Sequence, residues 1–174
     1  PLVHSGQMVR TDDGARRIRL KDGSIVFVDR HSEVTVTGHR AVRLTRGRLF
    51  VEVSPRAGND PGATFTVHTP GRAVKALGTK FAVAADAIRE TEVLVTQGAV
   101  KVSGVADALR AGWKLSEGSA GKVEVKPLSR MSHELDWTRD LIKESETPLV
   151  PGSKHAGGAL IAVDPYGQEN RLTL

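Results

Sequence analysis

From Ala15 to Val102 the chain keeps alternating apolar and polar residues in short runs. Ile18 and Leu20 alternate with Arg17 and Arg19, Val34 and Val36 with Thr35 and Thr37, and Val42 and Leu44 with Arg43 and Thr45. Leu49, Val51 and Val53 alternate with Phe50 and Glu52. Two is the period of a strand, whose successive side chains leave opposite faces of a pleated backbone. In Ser24–Asp29, Ile25 and Phe27 share one face and Val26 and Val28 the other. Further alternating pairs follow at Phe65 and Val67, Phe81 and Val83, Val93 and Val95, and Val100 and Val102. Weaker ones stand at Trp113 and Leu115 and at Val123 and Val125.

Turn chemistry separates these runs. Asp22-Gly23 is a hairpin signal between Leu20 and Ile25. Thr37-Gly38 and Arg46-Gly47 are expected to close the next two units, and Pro70-Gly71 and Gln97-Gly98 two later ones. Gly78, between Leu77 and Thr79, sits among strand residues and marks a bulge or a close approach of two backbones. Residues 54–63 form the longest loop of the β region and are expected to be exposed. Residues 106–112 suit either a helical turn ended by Gly112 or an extended segment with Leu109 in the core; the extended reading is favoured. The fold class is all-β, with about ten to twelve short strands in a solenoid-like or sandwich-like arrangement. No helix-length amphipathic pattern precedes residue 128, so the crossovers of an α/β fold are missing.

After Pro127 the period changes. Met131, Leu135, Thr138 and Ile142 lie on one helical stripe, with Trp137 and Leu141 beside it. Ser129 or Ser132 suits the start of such a helix, and Pro148 ends it. The expected organisation is a β domain over 1–128, a helix over 129–147 packed on it through Trp137, a linker over 148–158, and over 159–174 the start of a following domain or a terminal hairpin. PLVHSGQMVR has no apolar core of a secretory signal, and the chain reads as a piece of a larger protein.

Composition narrows the function. No run approaches twenty apolar residues, so no segment reads as a spanning helix. Cysteine is absent, which excludes disulfides and thiolate metal sites. The net charge of +5 invites an anionic partner. With four Phe and one Tyr, however, a stacking platform for single-stranded nucleic acid is meagre, and none is expected to bind. Arg17, Arg19, Arg43 and Arg46 have the parity to form one anion-binding or partner face if their strands are neighbours.

Catalytic chemistry is thin. No histidine stands at zinc-like spacing, and His133 with Asp136 is an ordinary surface pair at three residues apart. There is no GxSxG, P-loop or dinucleotide fingerprint. Asp12-Asp13-Gly14 lacks the later ligands of a calcium loop, and Glu90 and Glu92 share a strand face with no sign of a cleft. No enzyme activity, metal or cofactor is expected. The glycines Gly23, Gly47, Gly78 and Gly98 read as turns and bulges, and Leu44, Phe50, Phe65, Leu77 and Phe81 as core.

Several stretches carry a family pattern. Asp22-Gly23-Ser24 leads into an apolar strand. Arg40 to Val53 reads R-x-V-x-L-x-x-G-x-x-F-x-x-V. Phe65-Thr66-Val67-His68-Thr69 precedes Val74 to Val83, which contains Leu77-Gly78-Thr79-Lys80-Phe81. Val93 to Val102 is a strand, a turn at Gln97-Gly98 and a second strand, and Leu109 to Gly112 is an L-x-x-G tail. Over residues 15–128 the chain resembles the domain of the iron-transport regulator FecR. The resemblance implies a compact all-β unit outside the inner membrane that works by protein interaction and signalling, in some relatives between an outer-membrane transporter and a sigma factor. Residues 133–141, HELDWTRDL, and 146–165, ETPLVPGSKHAGGALIAVDP, resemble the junction that precedes a VIT domain in large bacterial proteins. The expected partner is another envelope protein or a flanking domain. The alternatives are a structural spacer in a multidomain envelope protein, or a binder of an anionic envelope polymer or lipid headgroup.

Overall fold

A computed structural model describes residues 2–56, 62–86, 90–118, 121–128 and 135–139, and the backbone of strands 154–156, 159–163 and 169–171. It divides into two units, residues 1–141 and 142–174. The first unit is all-β, as the alternation predicts. Its strands are β1 (Met8–Arg10), β2 (Arg16–Arg19), β3 (Ile25–Val28), β4 (Glu33–Gly38), β5 (Ala41–Glu52), β6 (Phe65–His68) and β7 (Ala73–Ala76). Then come β8 (Lys80–Ala85), β9 (Thr91–Gln97), β10 (Ala99–Val102), β11 (Leu109–Arg110), β12 (Trp113–Glu117) and β13 (Val123–Pro127).

All thirteen belong to one curled sheet whose two leaves meet at β5. Residues 41–46 of β5 pair with β4 and β6 in the first leaf, which also holds β1, β7, β10 and β11. Residues 47–52 pair with β3 and β8 in the second leaf, with β2, β9, β12 and β13. The described strands pair antiparallel except β5 with β6, and an isolated parallel bridge joins Leu2 to Arg19 of β2. The chain changes leaf between hairpins: β6 and β7 lie in the first, β8 and β9 in the second, β10 and β11 in the first again.

The turn expected at Arg46-Gly47 does not occur. The two strands expected around it are one strand of twelve residues, bent where Gly47 adopts φ +93°. The bend is tight, since a Cβ at Gly47 would lie 2.6 Å from the Ser32 Cα. Glycine therefore turns a corner between leaves here without ending the strand.

One buried cluster fills the space between the leaves. Val42, Leu44, Phe65, Val67, Val74 and Val100 enter it from the first leaf, and Ile18, Val26, Leu49, Val51, Phe81 and Leu115 from the second. Leu109 is buried on β11, so residues 109–110 take the extended conformation favoured above. Phe50 is buried but outside this cluster, on the opposite face of β5, where its ring lies 5.9 Å from that of Phe27. Leu77 is not core. It is 52% exposed, because Val74 and Ala76 take the inward positions of β7 and the parity turns Leu77 out.

Of the expected C-terminal helix only residues 135–139 are described, with a 3-10 turn at Asp136–Thr138. His133, Met131 and the remainder of that stripe, like residues 57–61 of the long loop, lie outside the described residues. The second unit is a three-stranded antiparallel sheet, β14 (Lys154–Ala156), β15 (Ala159–Val163) and β16 (Glu169–Arg171). Its first strand falls inside the stretch expected as a linker.

Candidate interaction site

The motif residues come together as scaffolding. In the β2–β3 hairpin, Asp22 accepts from the Ser24 backbone N–H at 3.0 Å and from its hydroxyl at 2.6 Å. The Arg40 guanidinium reaches the same carboxylate at 2.6 Å and donates to the Ser54 carbonyl at 2.9 Å. Ser24 Oγ in turn accepts from the Ser54 N–H at 3.0 Å. Gly23, at φ +90°, leaves room for the Ser54 side chain, which would lie 3.4 Å from an added Cβ. Asp22-Gly23-Ser24 thus clamps both ends of β5. At Gly98 (φ +79°) an added Cβ would stand 2.7 Å from the Thr79 methyl, and Gly78 passes close to the Pro55 backbone. Thr79 is buried, and its hydroxyl has no partner among the described residues.

Two further ion pairs brace the curl. Arg48 holds Asp29, donating from Nε at 2.8 Å, and its guanidinium carbon stands 5.8 Å from the centre of the Trp137 ring. Arg72 makes a bidentate pair with Glu117 at 2.9 and 2.8 Å, tying the start of β7 in the first leaf to the end of β12 in the second. Trp137 lines a cavity with Arg48, Ala82, Leu94 and Glu92, so the described C-terminal segment lies on the outer face of the second leaf.

Arg17, Arg19, Arg43 and Arg46 do not share a patch built from neighbouring strands. Arg17 and Arg19 stand on β2, which pairs with β3. Arg43 and Arg46 stand on the other leaf, in the part of β5 that pairs with β4. Parity turned Arg17, Arg19 and Arg43 away from the core, and a β-bulge opposite Glu33 and Val34 turns Arg46 out, but parity carries no information about which strands are adjacent.

The feature that periodicity did not single out is the free rim of the second leaf. β13 ends the strand order, with no strand beyond it among the described residues. Leu115 is fully buried on β12, yet Trp113, two residues earlier on the same face, is 41% exposed. Val125, paired with Leu115, is 42% exposed. The apolar face of the sheet therefore runs out past its cover at this rim. The signal was in the sequence as Trp113 and Val125 in strand parity; what it lacked was the knowledge that β13 is an edge.

A family model described as FecR protein matches residues 7–101. That is more than half of the chain. This protein belongs to the FecR family. The match to FecR covers β1 through β10 almost completely. Two crystal structures of a protein described as an anti-sigma factor from Parabacteroides distasonis ATCC 8503, at 2.50 and 1.65 Å, share the fold with TM-scores of 0.63. They are 22% and 21% identical in sequence and cover 74% of the FecR-family chain. The chain spans 62% and 63% of their length. No curated protein is a significant match.

Among the described residues no group of His, Cys, Asp or Glu is placed to hold a metal ion. No described helix is long and apolar enough to cross a membrane.

Proposed function

We propose that this FecR-family domain is a non-enzymatic protein-interaction module of extracytoplasmic signalling, and that it receives an extended partner segment along the β13 edge. Family membership supports the regulatory role and the location outside the cytoplasm. The fold shared with proteins described as anti-sigma factors is consistent with a place in sigma-factor control.

The observation that carries the reading is the rim itself. An edge strand offers a row of unpaired N–H and C=O groups, and a strand laid on it satisfies them. Here the same rim exposes Val125 and Trp113 on the core side of the sheet. An incoming strand with an apolar residue on that side would extend the sheet and cover both. Main-chain pairing supplies affinity, and the two side chains select for an apolar residue in register.

The test is capture from an envelope fraction by the full chain at about 0.3 M salt, where exposed charge contacts are screened. A partner retained by the native protein, lost with Val125→Lys and lost with the unfolded control Phe81→Ala supports the reading. A partner held equally by the native and Val125→Lys proteins contradicts it.

A further inference from the structure

The outer charges of the two leaves are arranged differently. On the second leaf three lysines are matched to acids, Lys80 with Glu52, Lys114 with Glu92 and Lys126 with Glu124, each at 3.1 Å, while Arg17 and Arg19 at its β2 end make no ion pair among the described residues. The first leaf's outer face carries Arg43, Arg46, Lys75, Lys101 and Arg110, all exposed. None of these five makes an ion pair among the described residues. The one carboxylate among the outward strand residues of this leaf is Glu33, and Arg10 occupies it at 2.7 Å.

Register concentrates the charge. Lys75 and Lys101 are direct cross-strand partners, and Thr66 lies on the other side of Lys75. Like charges placed opposite one another on a sheet are destabilising. Among the described residues this pair has no counter-charge to relieve it, so an external anion is its natural complement.

The shape of that complement follows from the surroundings. The five cations are spread over β5, β7, β10 and β11, a wider array than one small anion spans. Met8 on the edge strand β1 and Leu77 just past the end of β7 are 54% and 52% exposed. A broad set of unpaired cations with exposed apolar side chains at its margins suits a planar anionic surface with an apolar layer beneath it. We propose that the outer face of the first leaf is an adsorption surface for an anionic lipid bilayer. Lys and Arg meet the headgroups there, and Met8 and Leu77 enter the headgroup boundary.

The experiment is co-sedimentation of the full chain with vesicles of phosphatidylcholine, alone or mixed with phosphatidylglycerol, at about 0.1 M salt. Binding is expected to the mixed vesicles only. Each surface cation contributes roughly fivefold to such partitioning, so Lys75→Gln with Lys101→Gln should weaken it roughly 25-fold. Lys75→Arg with Lys101→Arg should retain it. Lys80→Gln with Lys126→Gln removes the same net charge from the second leaf and should change binding much less. Equal losses from the two glutamine pairs would overturn the proposal, since net charge alone would then explain binding. So would equal binding to both vesicle types, no binding to either, or capture of soluble polyglutamate in preference to mixed vesicles.

Discussion

Arg40 donates to the Asp22 carboxylate at 2.6 Å, with side chains only 6% and 1% exposed, and so joins the first hairpin to the start of the longest strand. The pair is surrounded by further hydrogen bonds to Ser24 and Ser54. Removing one partner leaves an unmatched charge in a dry site. Arg40→Ala or Asp22→Ala should each cost about 3–5 kcal/mol. The double variant should cost clearly less than the sum, because the two share one interaction. Urea midpoints of the four proteins test this; additive losses would contradict it.

The bend in β5 gives a second expectation. Gly112 and Gly47 both have positive φ, +85° and +93°, but nothing lies within 4 Å of a Cβ at Gly112. Gly112→Ala therefore meets backbone strain alone, about 1–2 kcal/mol. Gly47→Ala adds a clash with the Ser32 backbone and should cost about 2–5 kcal/mol in total. Ser32→Ala should not rescue it, because the added Cβ would still stand 2.6 Å from the backbone of residue 32. Thermal unfolding of the three variants measures the order.

Leu77 and Phe81 separate family pattern from core. Phe81→Ala empties a fully buried site and should cost about 3–5 kcal/mol. Leu77→Ala, on an exposed side chain, should stay within about 0.5 kcal/mol. Chemical denaturation distinguishes them; a large loss at Leu77 would contradict its outward placement.

Arg72 and Glu117 are each 13% exposed in a two-pronged pair between leaves. A double-mutant cycle on Arg72→Ala and Glu117→Ala should return a coupling of about 1–3 kcal/mol. A value near zero would contradict a bracing role for this pair and leave the apolar cluster, the continuous strand β5 and the Arg40–Asp22 clamp to join the leaves.

Much of this architecture is readable from period and punctuation. Alternation at Val42, Leu44, Leu49 and Val51 names the core, and Asp22-Gly23 and Gln97-Gly98 name real turns. Gly47 misleads because the same permissive backbone serves a turn and a bend within one strand; only its close approach to Ser32, fifteen residues earlier, distinguishes them. Leu77 misleads because hydrophobicity suggested burial where the parity of β7 places it outside. The grouping of charges was illegible for a different reason. Parity assigns Arg17 and Arg43 to outer faces, but strand order depends on long-range pairing, and that order sends them to different leaves. The same ordering turned β13 into an edge and left Trp113 and Val125 uncovered.

The central claim is that the β13 rim meets a partner strand. The most direct measurement replaces Val125 with a photoreactive amino acid in the full-length protein in its own cells, with a second probe at exposed Asp12. One discrete protein adduct from position 125, absent from position 12 and lost on adding Trp113→Lys, is the predicted result. The same adducts from both positions, or none from position 125, would contradict it.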